Sequence, residues 1–248
     1  MPEGPSIVIL RELIEELHLE GSKLVDVVGT TELDKDRMVN QKVIAFKTWG
    51  KHFLICFEDF ALRIHLMMFG SYRINERKES KPKMGLIFKT AELNFYTCDL
   101  KYIEGNLADT YDWTADIMSE AYNINHTVKR LKEHNNSFIC DVLLDQDVFA
   151  GSGNIIKNEV LYRIKVQPLT KIADLSTAKL KSLATATQQY AFDFLKWKKE
   201  NTLKKHWEVY GKKTCPKHHT IIKKNLGKNK RVSFYCPECQ KFIEIHKK

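Results

Sequence analysis

Two residues separate Cys215 from His218 and two separate Cys236 from Cys239, with seventeen residues between the pairs. Each pair can chelate from a tight turn, helped by Pro216 and Pro237, and the gap suits a β-hairpin. Three thiolates and an imidazole favour tetrahedral zinc with no open position, so one structural Zn2+ is expected. His219 is the alternative nitrogen ligand; the two-residue spacer is the commoner knuckle and favours His218. Cys56, Cys98 and Cys140 stand alone in apolar surroundings and read as reduced core residues.

Between the ligand pairs lies Gly227-Lys228-Asn229-Lys230-Arg231, a turn with three cations. A module this small cannot bury those charges, so the hairpin tip is expected to face solvent, as a phosphate-binding tip or simply a solubilising one. At the other end of the chain stand Pro2 and Glu3. If Met1 is removed, Pro2 offers a secondary amine, a good nucleophile toward an electrophilic carbon, and Glu3 beside it can move protons. Proline and glutamate are both favoured at a helix N-terminus, and on these two residues alone that ordinary reading is the preferred one.

The elements that must carry these groups are legible in outline. Residues 5–19 read as an amphipathic helix, with Pro5 in the first turn, apolar residues at Ile7, Leu10, Leu13, Ile14 and Leu17, and a stop at Gly21. From about 25 to 97 short β-rich runs follow (43–49, 52–57, 61–67, 71–74, 85–90 and 92–97), which predicts a sandwich or barrel. After Trp113 helical periodicity takes over at 114–121, 126–134, 137–145, 154–162 and 175–198. The expected fold is α+β and multidomain: an N-terminal β-sandwich with a leading helix over 1–113, a helical domain over 114–210, and a metal-bound hairpin over 211–248.

The 248 residues carry a net charge of +9, and 43% of them are hydrophobic, enough for a proper core. Residues 212–248 hold 11 Lys and Arg against 2 Glu, leaving 29 basic and 29 acidic residues in the rest of the chain. The excess is therefore confined to the metal module. That segment also carries Ile221, Ile222, Val232, Phe234, Tyr235, Phe242 and Ile243, so it reads as a folded basic module with a polyanionic partner. Apolar runs such as Ile7 to Leu10 are broken by charge within a few residues, and no membrane partner is expected.

Four segments in order resemble the formamidopyrimidine-DNA glycosylase and endonuclease VIII family of base-excision repair enzymes. They are Met1-Pro2-Glu3-Gly4-Pro5; Trp49-Gly50-Lys51-His52-Phe53-Leu54 with His65-Leu66-Met67-Met68-Phe69-Gly70; Leu144-Asp145-Gln146 through Gly151-Ser152-Gly153-Asn154-Ile155 to Pro168; and Arg231-Val232-Ser233-Phe234-Tyr235-Cys236. The second is similar to the family's β-domain, the third to its helix-two-turn-helix and the fourth to its zinc finger.

The resemblance implies a bifunctional glycosylase and abasic-site lyase acting on damaged double-stranded DNA. Pro2, Glu3 and Lys51 become the catalytic candidates, and His65, Asn154 and Arg231 the phosphate contacts. It also implies that Met67, Met68 and Phe69 fill the gap left by an everted nucleotide, because flipping empties stacked space that an apolar plug partly refills. Taken alone, Lys51 reads as a solvated turn residue, His65 as a core histidine, Asn154 as an N-cap, and the apolar triple as core strand. Ser6 stands where most bacterial relatives carry Glu, and 99–105 replaces the Arg and Phe loop of the purine-type enzymes. About a dozen residues after the last helix leave little for a lid over a purine, so oxidised pyrimidines are expected to be preferred. The alternative is a non-catalytic lesion-sensing protein on the same scaffold. A monomer is expected, in the cytoplasm and on the nucleoid if the chain is bacterial.

Overall fold

The computed structural model describes residues 2–241; Met1 and residues 242–248, including Phe242 and Ile243, lie outside the described residues. Two compact units divide the chain, Met1–Asp112 and Trp113–Lys248. Among the described residues no helix is long and apolar enough to cross a membrane.

The first unit opens with α1 (Gly4–Glu15), which buries Ile7, Val8, Leu10 and Ile14, as the periodicity requires. It ends four residues before the predicted end at residue 19, and His18 and Gly21 beyond it take left-handed φ values of 51° and 81°. Six antiparallel strands follow: β1 (Leu24–Val28), β2 (Ala45–Trp49), β3 (His52–Cys56), β4 (Phe60–Ile74), β5 (Met84–Phe88) and β6 (Glu92–Glu104). Their hydrogen-bonded order is β1-β5-β6-β4-β3-β2. The long strands β4 and β6 serve both layers of a β-sandwich. Residues 60–66 of β4 pair with 98–104 of β6 beside β3, whereas 71–74 pair with 93–96 beside β5.

Inner faces of both layers meet in one core that includes Phe53, Ile55, Leu62, Ile64, Met84, Leu86 and Phe95. The rings of Phe53 and Phe95, one from each layer, lie 6.1 Å apart across that seam, and Phe53 stacks on Phe46 at 6.0 Å. The predicted break between the runs 61–67 and 71–74 is thus a bulge inside one strand. Residues 99–104, expected to form a loop, are the second half of β6.

The second unit contains α3 (Ile124–Glu133), the single turn α4 (Ile139–Val142), α5 (Asn154–Arg163) and α6 (Thr177–Lys199), after the short α2 (Leu107–Thr110) that closes the first unit. The helix predicted at 114–121 is a 3-10 turn at Trp113–Ala115 followed by turns, because Asp116 takes Met118 N–H on its carboxylate and competes with a helical ladder. Asn123 and Ser176 cap α3 and α6 through their side chains. The hairpin of β7 (Ile222–Leu226) and β8 (Arg231–Tyr235) completes the unit.

Candidate active site and nucleic-acid interface

Pro2 is half-buried, and Glu3 beside it is wholly buried at the N-cap of α1, where its carbonyl accepts the Ser6 N–H at 2.8 Å. Its carboxyl is therefore held within the protein, unlike that of a solvated first-turn glutamate.

Lys51 occupies the two-residue turn between β2 and β3, directly after Gly50 at φ 55°. That turn is supported from β4, because His65 Nδ1 lies 3.2 Å from the Lys51 carbonyl oxygen and must donate to it. His65 packs edge-on against His52 at 5.2 Å, and His52 against Trp49 and Tyr111 at 5.6 and 5.8 Å. The Trp49 indole donates to the Asp112 carbonyl at 3.0 Å. Burial, with Arg63, His65 and Lys51 nearby, pushes the His52 imidazole down to about 3; burial chiefly also lowers His65, against the lift from its bond to Lys51. Both rings are neutral at pH 7. Trp49, His52 and Tyr111 were given no role of their own from sequence: the first two stand in predicted strands and Tyr111 lies beyond the last of them.

The β4–β6 register breaks between Leu66 and Ser71. A Cβ on Gly70 would lie 2.7 Å from Met67 N and 2.8 Å from Thr97 O, so only glycine permits this bulge; opposite it Thr97 takes φ 51°. The bulge turns Met67, Met68 and Phe69 outward, with exposures of 46, 54 and 82%. The reading of these residues as core strand is excluded, since apolar groups this exposed belong to a contact surface.

In the second unit, Gln146 braces the loop before α5. Its amide donates to Leu144 O at 2.8 Å and Ser152 O at 3.2 Å, and its oxygen accepts the Gly151 N–H at 3.1 Å. The N-cap of α5 is Gly153, with no side-chain cap, and Asn154 is the first helical residue. The expectation that Asn154 is a plain N-cap is therefore corrected. Asn154 is 6% exposed and its Oδ1 has no hydrogen-bond partner among the described residues. Its carbonyl accepts from Asn158 Nδ2 at 2.6 Å.

The interior of α5 is polar yet buried. Lys157 Nζ donates to Val232 O at 3.1 Å and Ser233 Oγ at 3.0 Å, and Asn158 Oδ1 accepts the Phe234 N–H at 2.9 Å. Glu159 accepts the N–H groups of Glu208, Val209 and Tyr210 at 2.8–3.0 Å, although burial still raises its pKa. Three consecutive side chains, about 100° apart around the helix, thus anchor the β8 strand and the segment leading to the hairpin.

The metal ligands differ from expectation in one residue. Cys215, His219, Cys236 and Cys239 place their ligand atoms within 4.8 Å of one another. His219 Nδ1 lies 3.4 Å from Cys239 Sγ, while His218 is exposed at φ 62° in the turn after Cys215. The left-handed residue turns its own side chain outward and brings the next one in, so His218 is replaced by His219 as ligand. Three sulfurs and one nitrogen in so tight a group fit a closed tetrahedral zinc site. Gln240 supports it, accepting the Cys236 N–H at 2.9 Å and donating to Val166 O at 2.8 Å.

Arg231 begins β8 and is half-buried. The preceding turn does not simply project into solvent: Lys228, Asn229 and Lys230 have exposed side chains, but the turn's backbone is tied to the Asp141 carboxylate.

Comparison with known proteins finds two family models on the chain. Residues 1–103 match the family model of the formamidopyrimidine-DNA glycosylase N-terminal domain, and 114–205 that of the formamidopyrimidine-DNA glycosylase H2TH (helix-two-turn-helix) domain. Endonuclease 8-like 3 of Mus musculus is 31% identical over 205 residues, which are 79% of this chain and 34% of that protein. Endonuclease 8-like 2 of Bos taurus is 30% identical over 72% of this chain and 58% of its own length. The chain thus spans about a third to somewhat over half of these curated relatives. Among solved structures, a viral DNA glycosylase superposes with a TM-score of 0.84 at 22% identity, covering 96% of this chain and 99% of that one. The Lactococcus lactis formamidopyrimidine-DNA glycosylase bound to DNA with an abasic site also gives 0.84, at 21% identity and with the same coverage. By both domain models and by its fold, the chain belongs to the formamidopyrimidine-DNA glycosylase and endonuclease VIII family, on the endonuclease VIII-like branch.

Proposed function

We propose that this chain is a bifunctional DNA glycosylase and abasic-site lyase that excises oxidised bases, pyrimidines preferred, from double-stranded DNA as a monomer. The observation that carries the reading is the pairing of a secondary amine at Pro2 with a wholly buried carboxyl at Glu3, in a chain of this family.

Once Met1 is removed, the Pro2 nitrogen attacks C1′ of the damaged nucleotide, and the C1′–base bond breaks with its electron pair going to the base. Glu3 passes a proton as the sugar ring opens, leaving an iminium between Pro2 and C1′. Loss of a C2′ proton expels the 3′ phosphate, a second elimination expels the 5′ phosphate, and water releases the sugar remnant from Pro2. Lys51, on its propped turn, neutralises phosphate next to the reacting sugar, and His65 contacts phosphate beside it. Asn154 meets phosphate at the uncapped N-terminus of α5, a favourable anion position, and Arg231 grips a further phosphate with its fork of donors. Met67, Met68 and Phe69 enter the space left by the everted nucleotide. Zinc, when bound, fixes the hairpin that presents Arg231.

Borohydride tests the reading directly, since it reduces an iminium to a stable amine. A covalent complex of protein with an abasic duplex is expected, its adduct on the N-terminal peptide at Pro2. Trapping that persists when an uncleaved N-terminal tag blocks the amine would remove Pro2 from the role, and absence of trapping would favour the non-catalytic lesion sensor.

A further inference from the structure

We propose that Asp141, in the single turn α4, is a positioning residue for Arg231: it seats the hairpin turn against the helical unit and so fixes where the arginine presents its guanidinium. The inference rests on the reading of Arg231 as a phosphate contact. The Asp141 carboxylate accepts the Lys228 N–H at 2.8 Å and the Asn229 N–H at 3.3 Å. Gly227 makes this approach possible. It sits at φ 76°, and a Cβ there would fall 2.4 to 2.6 Å from the carboxylate atoms.

On the other side of Arg231, Lys157 holds Val232 O and Ser233 Oγ, and Asn158 holds the Phe234 N–H. Residues 228–229 and 232–234 are therefore both fixed to helical side chains, and Arg231 lies between the two grips. Leu226, just before the turn, is packed in the core of the same unit. The Asn158 amide also bonds the Asn154 carbonyl, so the grip on β8 shares a residue with the first turn of α5.

Electrostatics alone gives Asp141 the opposite role. An acidic group beside a turn bearing Lys228, Lys230 and Arg231 repels an approaching polyanion and offsets part of the turn's charge. Removing that charge would strengthen binding if position did not matter. If the carboxylate sets the backbone, its loss weakens binding and does so only through Arg231.

The test uses the full-length, zinc-loaded protein and a duplex carrying a tetrahydrofuran abasic analogue, which is bound but not cleaved. Affinity is measured against NaCl concentration for Arg231→Ala, Asp141→Ala, the double variant, Asp141→Asn and Gly227→Ala, with zinc content and Tm recorded for each. Arg231→Ala is expected to lower the slope of log affinity against log salt by about one unit. Asp141→Ala should give most of that loss, the double variant no more than Arg231→Ala alone, and Asp141→Asn, which keeps an acceptor oxygen, should recover much of it. Gly227→Ala should reproduce the loss from the other side of the contact, with both Asp141 and Arg231 intact. Additive losses in the double variant, or tighter binding by Asp141→Ala, would overturn the proposal. An unchanged slope for Arg231→Ala would instead remove the phosphate-contact reading on which it stands.

Discussion

His65 carries a constraint at the residue scale that its placement in a strand does not reveal. Its Nδ1 donates to the Lys51 carbonyl, so in the neutral ring the remaining Nε2 has only a lone pair to offer and repels a phosphate oxygen. Contact with phosphate therefore requires the imidazolium. In the free protein burial lowers the His65 pKa from its ordinary value, and a bound phosphate raises it, so binding takes up a proton. Affinity for a duplex is expected to rise as pH falls from 8 toward 5.5, and His65→Ala should flatten that dependence. Fluorescence anisotropy at fixed ionic strength decides the matter; an unaltered pH profile in the variant would assign His65 to supporting Lys51 alone. His52 behaves differently because nothing compensates its burial. Its folded pKa, about 3, lies below the unfolded one, so the unfolded state binds the extra proton and stability is lost as pH falls below about 6.5. In the His52→Phe variant, urea melts should show a weaker pH dependence between 6.5 and 4.

At the scale of the element, the bulge in β4 and the polarity of α5 show what periodicity can and cannot carry. The strand pattern on either side of Gly70 was legible, but it read as two runs, 61–67 and 71–74, where the structure has one strand. The glycine accommodates close approach by Met67 N and Thr97 O within a continuing ladder. Gly70→Ala is accordingly expected to spoil the bulge and reduce the preference for an abasic-analogue duplex over an intact one, while binding to the intact duplex changes little. A gel-shift comparison of the two duplexes measures this, and an unchanged ratio would sever the wedge from lesion recognition. The helix α5 was found by its length and its glycine-rich start, yet its burial could not be anticipated, since Lys157, Asn158 and Glu159 are residue types that ordinarily face water. Their partners in the hairpin and the segment before it, mostly backbone groups, lie more than forty residues away, and no local pattern encodes them. His218 and His219 posed the same difficulty on a smaller scale. The two are chemically identical as ligands, and only the left-handed backbone at 218 selects between them.

At the scale of the whole molecule, the segregation of charge and the wiring of α5 bear on what zinc does. The net positive charge lies in residues 212–248, and within the second unit the hairpin is bound to α5 through the buried polar atoms of Lys157 and Asn158. Metal binding is also folding for a module this small, because the ligands must be gathered by the loss of chain entropy that only the ion offsets. If the hairpin merely sat on the surface, chelation would unfold it alone and leave the helices as they were. Here, its departure takes two acceptors, Val232 O and Ser233 Oγ, from the Lys157 ammonium, and breaking such contacts of a buried charge costs about 3 kcal/mol or more. Zinc removal is therefore expected to lower the unfolding temperature of the helical unit as well as abolish DNA binding, while the β-sandwich unit melts as before. Scanning calorimetry before and after chelation, repeated on Cys236→Ser, separates the cases. The Lys157→Met variant supplies the converse: without an ammonium to strand, its helical unit should be weakened at the outset by about 1–3 kcal/mol for the two acceptors left unpaired, and should then respond less to chelation. A helical transition indifferent to the metal in the native sequence would show that the hairpin and the helices are energetically independent.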